Sequence, residues 1–386
     1  MRIFAACAGL VFLAACERAS GDEAETPAPA ETPSPLDIIA SDELPKLPSP
    51  ATGIAFWIHP NVAFNSLMIA AGAGSVVSYN IEDGEEVARI TDIDAQGAEV
   101  SYFGFGPLAA GVLAAFDKNE SAFRFFGVDN ASRMFLPLAG GPAIEGEVQG
   151  FCFGRAVSNP APSLFVIQQD SIHVFNLSLA DAGAAAPGIA IANRATIEAP
   201  EPMAACAVES DGVLMLASED GDIFRVENEN SLAAPFATSG AGTVGGLEIV
   251  SSSALPAADG AAPGAPAGAI ALLNSEDGTL ALFDRETGDV LGVVRLTRKN
   301  ENNEPVATAE AASVLGATGA NLGALYRDGV VAVGLPEDEP SILLAPVNSV
   351  ANALDLSGSA PINPRGEIPE AEEDPFIVPG LLDENL

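Results

Sequence analysis

The chain is short of positive charge. Sixteen Lys and Arg, only three of them Lys, stand against 53 Asp and Glu, for a net charge of −37 over 386 residues. Nucleic acid needs a basic footprint for its phosphates, so it is excluded as a partner, and unaided binding of other polyanions is disfavoured. The acidity itself reads as a solvated, self-repelling surface. Histidine is scarce too. His59 and His173 are the only two, each isolated in sequence, and each reads as structural. The four cysteines, Cys7, Cys16, Cys152 and Cys206, have no zinc-ligand spacing with either histidine. No Gly-x-Ser-x-Gly is present, so nothing points to a serine hydrolase. Nor is there an apolar run of the roughly 20 residues that a membrane helix needs, and long amphipathic helical patterns are missing.

What the chain does have is one unit repeated. Residues 53–90 carry four short apolar runs: Gly53 to Pro60, Ser66 to Ala71, Ser75 to Asn80 and Glu85 to Ile90. Pro60-Asn61, Gly72 to Gly74 and Asp83-Gly84 separate them. Short runs rich in Ile, Val, Phe and Tyr between such residues are strands. Asp-Gly between two strands predicts a tight type I′ hairpin. The unit is therefore a four-stranded antiparallel meander, which must stack against copies of itself to cover its faces. Further copies begin near Ala98, at Glu147, at Glu201, at Thr243 and near Ala309, with Asp211-Gly212, Asp220-Gly221, Asp277-Gly278 and Asp328-Gly329 placed for hairpins. Six copies predict an all-β fold, a six-bladed β-propeller of four-stranded antiparallel blades over residues 51–356. Ala254 to Gly268, nearly all Ala, Pro and Gly, reads as an inserted loop.

The two ends differ from this body. Arg2 and the apolar stretch Ile3 to Ala15 have the form of a secretory signal, residues 1–15. Leu13-Ala14-Ala15-Cys16 resembles the bacterial lipobox, which makes Cys16 the lipidation site and a lipid membrane the partner of its acyl chains. Glu17 is not the Asp that favours inner-membrane retention, so the expectation is a lipid-anchored protein facing the periplasm, in the outer membrane. Residues 16–50 form a Pro-rich linker, expected to be disordered. Within it, Leu36 to Ala40 is strand-like, and is expected to pair into the last blade and close the ring. Residues 357–386 read as an acidic tail.

Three tempting motifs are weak. Gly240-Ala-Gly242-Thr-Val-Gly245 spells a dinucleotide fingerprint, but a loop precedes it and a strand follows. The acidic turns at 82–84, 219–222 and 276–278 lack the alternating ligands of a calcium loop. Cys152 and Cys206 fall at equivalent places in the first strands of successive blades. There they are expected to be buried, free thiols, too far apart to bridge.

The details resemble one family. Ile54-Ala-Phe-Trp-Ile-His-Pro60, Tyr79-Asn80-Ile81-Glu82-Asp83-Gly84, Ala281-Leu-Phe-Asp284-Arg285 and the closing Leu344-Ala-Pro346 to Leu354 look like the β-propeller phytases, in that family's order. The resemblance covers roughly residues 50–356. It implies a calcium-dependent phosphomonoester hydrolase of the 3-phytase type acting on phytate, its Ca²⁺ ions held by carboxylates near the first strands of the blades. This sequence departs from that ligand set. A family Val-Glu-Gly-Cys is Met203-Ala204-Ala205-Cys206 here, and a Val-Glu-Gly-Leu is Val244-Gly245-Gly246-Leu247. The acidic pair before the first strand is replaced within Pro50 to Ile54, and the phosphate-gripping Lys has no counterpart in Ala71 to Ser75. Glu99 and Glu147 remain as candidate calcium ligands, with Glu201, Glu248 and Glu310 as further carboxylates. With most ligands gone, the resemblance favours a non-catalytic propeller that binds a periplasmic ligand or protein partner or acts as a scaffold, over an active phytase.

Overall fold

The computed structural model describes residues 33–356 except 45–46, 103–110, 142, 156–161, 181–187, 210–211, 227–231, 233, 241, 252–267, 301, 303, 307–310 and 337–339. The signal segment, Cys16, most of the inserted loop, Asp211, Glu310 and the tail lie outside the described residues.

Six antiparallel sheets form the blades of a propeller. Two strands precede the first blade, β1 (Leu36–Ile39) and β2 (Asp42–Leu44). Blade 1 is β3 (Ala51–Trp57), β4 (Leu67–Gly72), β5 (Ser75–Asn80) and β6 (Glu86–Thr91). Blade 2 is β7 (Ala95–Ser101), β8 (Val112–Asp117), β9 (Ala122–Val128) and β10 (Phe135–Leu138). Blade 3 is β11 (Gly150–Arg155), β12 (Pro162–Gln168), β13 (Ser171–Ala180) and β14 (Gly188–Glu198). Blade 4 is β15 (Met203–Val208), β16 (Leu214–Ser218), β17 (Asp222–Val226) and β18 (Ala237–Thr238). Blade 5 is β19 (Val244–Ser251), β20 (Gly268–Asn274), β21 (Thr279–Asp284) and β22 (Val290–Lys299), with β23 (Pro305–Val306) paired to β22. Blade 6 is β24 (Val314–Thr318), β25 (Val330–Leu335) and β26 (Ser341–Pro346), followed by α1 (Val347–Ala353).

The second strand of a blade shows why the sheets stack. Every residue of β4 is buried. Side chains alternate faces along a strand, so Met68 and Ala70 pack toward blade 6 while Leu67, Ile69 and Ala71 pack toward blade 2. Both faces are apolar and both need a neighbour. The core is accordingly divided into six clusters, one at each junction between successive blades, including the junction of blade 6 with blade 1.

The chain closes this ring differently from the sequence expectation. Leu36–Ile39 does not enter the last blade. It runs parallel to β22 on the outer edge of blade 5, from Leu36 opposite Val294 to Ile39 opposite Thr297. The chain then crosses between blades: the Ala40 amide donates to Thr297 O and the Ser41 amide to Leu344 O. β2 supplies the missing fourth strand of blade 6, antiparallel to β26. Asp42 and Ser41 hold the Tyr326 hydroxyl at 2.7 and 3.0 Å, and Arg295–Asp37 and Arg298–Glu43 pair at 2.8 Å on the outside. Such exposed pairs contribute little; the edge pairing and burial of Ile38 and Leu44 carry the closure. The paired chain thus begins inside the segment read as linker.

The hairpins also differ in type. Gly84 and Gly278 have φ of 70° and 69°, but Asp83 and Asp277 are not in the left-handed region. Gly84 N–H donates to Asn80 O and Asn80 N–H to Glu85 O. Asp83 Oδ1 accepts from the Glu85 amide at 2.9 Å. The loop is longer than two residues, and a right-handed turn followed by one left-handed Gly fits that length.

Cys152 and Cys206 are joined in a disulfide with Cα atoms 5.7 Å apart, which corrects the expectation of free thiols. First strands of adjacent blades converge at the axis, so equivalent positions there come within bridging range. The bond ties blade 3 to blade 4 across 54 residues of chain. The double variant Cys152→Ala/Cys206→Ala is expected to unfold with about 2–4 kcal/mol less free energy. Guanidinium denaturation with and without reductant checks this: reductant should destabilise the native chain and leave the variant unmoved, whereas equal stability of the two oxidised proteins would contradict it.

Candidate functional site

The first strand of each blade faces the propeller axis, and small residues let these strands approach. A Cβ at Gly53 would collide with the backbone of Gly97 and Ala98 in the next blade. Bulges recur near the start of these strands. Register shifts between Ala51 and Gly53, Met203 and Ala205, and Val244 and Gly246 make Thr52, Ala204 and Gly245 the extra residues. A bulge re-aims the residue it inserts, so blades 1, 4 and 5 present equivalent positions there, and none of the three carries a carboxylate.

Deeper along the axis lies a cavity of about 180 Å³, lined by all six blades. Blade 1 contributes Ile54 to Phe56 and Ile58, blade 2 Glu99, Val100 and Tyr102, and blade 3 Cys152 and Phe153. Blades 4 to 6 add Cys206 to Val208, Glu248 and Ile249, and Ala317 and Thr318. Most lining residues are apolar in type, but the surface they present to the cavity is mainly polar, and the disulfide forms part of it. Tyr102 is fixed across the blade junction: its hydroxyl donates to Phe56 O at 2.9 Å and accepts from the Ile58 amide at 2.6 Å.

Among the described residues, Glu99 and Glu248 are the two carboxylates of this wall. They occupy matching patterns, Ala98-Glu99-Val100-Ser101 and Leu247-Glu248-Ile249-Val250, with the outer two residues buried and the middle two at the cavity. Both side chains are half-buried at the cavity surface, and desolvation there pushes Glu99 up to about 8 from its ordinary value. Burial raises Glu248 well above its ordinary range, and the charge of Glu99 raises it further. The two acids therefore hold protons into the neutral range and resist being ionised together.

The other sequence candidates lie apart from this pair. Glu147 is exposed on the segment leading into β11, and Glu201 is half-buried just before β15. Glu248, not Glu147, is the acid the fold places with Glu99. No group of three or more His, Cys, Asp or Glu able to hold a metal exists among the described residues. Ca²⁺ takes six to eight oxygen ligands, and two proton-holding carboxylates, the ones among the described lining residues, fall short of it. His59 and His173 have structural partners: His59 Nδ1 accepts from the Asn61 and Val62 amides at 3.1 and 3.0 Å while its Nε2 lies 3.2 Å from Asn130 O of blade 2, and His173 lies 3.3 Å from both Ser171 Oγ and Thr196 Oγ1. Gly240 to Gly245 leads into β19, with no helix after it.

No protein-family model matches this chain, and no curated protein does either.

A second cavity, about 460 Å³, lies at the starts of the inner strands of blades 3, 4 and 5. Gln149, Ala204, Thr243 and Val244 line it with the acidic hairpin Glu219-Asp220. Among the described residues no helix is long and apolar enough to cross a membrane.

The raised acids set a pH dependence with a definite sign. Between the ordinary 4.5 and about 8, the unfolded chain has released the Glu99 proton and the folded chain has not. Folding then takes up protons, so stability falls as pH rises through that window. Glu99→Gln should reduce the fall, leaving the part that Glu248 contributes, and stabilise the protein at pH 8 by about 2 kcal/mol. That is less than the roughly 5 kcal/mol of a full conversion, because the axial space admits water. Denaturation midpoints at pH 6 and pH 8 test it. A wild type that gains stability toward pH 8 in parallel with the variant would refute it.

Proposed function

We propose that this chain is a phytase-like propeller that binds a ligand or protein partner through its axial face and does not hydrolyse phosphate esters. The observation that carries the reading is the pair Ala204 and Gly245. Each is the extra residue of an inner-strand bulge, and each stands where the resemblance implies a calcium-binding Glu. An intact bulge with its carboxylate missing suits a retained framework with a lost ligand set. The net charge of −37 points the same way, since a hexakisphosphate would be repelled.

The second reading is a calcium-dependent phytase with a rearranged site, and the convergence of Glu99 and Glu248 on one cavity favours it. Against it stands their proton-holding environment, which makes them poor cation ligands at neutral pH. Phosphate release from phytate, with and without Ca²⁺, from neutral to mildly alkaline pH, separates the two. No release above a blank, and no micromolar calcium binding by calorimetry, are the expected results. Calcium-stimulated release would establish the phytase.

The same proposal places the body in the periplasm, held at the outer membrane by acyl chains on Cys16. The Cys152–Cys206 bond supports an oxidising compartment independently of the signal segment. Cys16→Ser is expected to abolish fatty-acid labelling and to shift the protein from the membrane pellet to the soluble or uncleaved fraction. A variant that is processed and pelleted like wild type would overturn the anchor.

A further inference from the structure

We propose that the outer edge of blade 5 is a lipid-contact surface, laid against the bilayer to which the chain is tethered. The proposal rests on the acyl anchor at Cys16 and adds which side of the body meets the membrane. Seven large apolar side chains stand exposed among the described residues. Three of them, Leu36, Val290 and Val306, lie on this one edge, 45, 46 and 43% exposed. Leu36 of β1 sits opposite Val294, and Val306 of β23 opposite Arg298. Those two positions of β22 are four residues apart, so side-chain alternation puts Leu36 and Val306 on the same face. Val290 extends the row to the first residue of β22. From Val290 to Arg298 the row is roughly 25 Å long.

The tether selects this edge and its occupant. Sixteen residues, 17–32, separate Cys16 from Pro33, where the described chain begins. A flexible chain of that length has a root-mean-square reach of roughly 20–25 Å, so an acylated Cys16 keeps Leu36 beside the bilayer. A contact of this size is too weak to hold a free protein. On a short tether it becomes intramolecular and works at an effective concentration on the order of millimolar. Charge opposes it less here than over the body as a whole. β22 carries Arg295, Arg298 and Lys299 and no acid. With Asp37, Glu43, Asp289 and Glu304 around them, three cations meet four acids, against 16 and 53 in the whole chain. An anionic headgroup layer therefore repels this edge less than the average surface, and the arginine stems add apolar area beneath their charged heads. Met134 and Leu136, 45 and 47% exposed, make a second apolar edge at β10. That edge belongs to blade 2, three blades away in a ring of six, on the side opposite the tether.

The test uses the full acylated chain reconstituted into phosphatidylethanolamine–phosphatidylglycerol vesicles with brominated acyl chains. An environment-sensitive fluorophore is attached at Val306→Cys or, as the control, at Leu136→Cys. The label at position 306 is expected to lose about half of its emission relative to unbrominated vesicles, as a group at the headgroup–acyl boundary does, and the label at position 136 to lose none. Adding Leu36→Ser and Val290→Ser should restore the emission at position 306 while the protein still floats with the vesicles. Should Val306→Cys not fold, the label at Val290→Cys decides in its place. Equal quenching at the two edges, quenching at neither, quenching at position 136 alone, or undiminished quenching after the Ser substitutions would each overturn the lipid contact. Acylation of Cys16, read by mass spectrometry on the same sample, leaves the anchor standing in those cases. A Cys16 without acyl chains overturns the anchor and this contact together.

Discussion

Burial of both faces of every blade is the constraint on which the rest depends. A sheet such as β3 to β6 has no solvent side along its inner strands, so it needs a neighbour on each face, and only a closed ring gives every blade two. The six core clusters, one per junction, are the direct result. The ring is fastened where the opposite end of the chain completes one blade. Here β2 completes blade 6 while β1 lies on blade 5. The start of the described chain thus grips both blades at its far end, and the Ala40-Ser41 step between them acts as a clasp.

Closing the ring also fixes what stands at the axis. Six inner strands converge there, close enough for the Cys152–Cys206 bond and for Gly53 to lie against the backbone of blade 2. The space that remains lies between the inner strands of all six blades, and Glu99 and Glu248 face it. Acids placed in such a wall destabilise the fold as they ionise, so their presence at matching positions of two blades is not explained by packing. Perturbed groups of this kind gather at functional sites. The buried Glu209–Arg285 pair, 3.2 Å apart at the junction of blades 4 and 5, offers a contrast: there the charge meets an opposite charge.

Much of this was legible in the sequence. Inner and second strands carry strong apolar runs and Gly-bearing turns, so β4, β5 and β6 lie within a residue of their expected bounds and β3 within three. The outer strands were harder. β18 is two residues long and β2 is Asp-Glu-Leu, too short and too polar to give a period. Leu36 to Ile39 has the pattern of a strand, but pattern does not say which edge it joins. The disulfide was missed because spacing along the chain hides how closely neighbouring blades converge. Glu99 could be singled out by resemblance, but its partner Glu248 becomes visible only once opposite blades share one cavity.

The central claim is that Glu99 and Glu248 form one coupled, proton-holding pair on the axis. Infrared titration with ¹³C-labelled glutamate observes it directly through the carboxylic-acid carbonyl band. The account predicts protonated carboxyl absorption persisting above pH 7, titrating near pH 8, with part of it lost in Glu99→Gln and the remainder shifted to lower pH. If every glutamate in the folded protein ionises below about pH 5, the pair does not hold protons and the account of the axis is wrong.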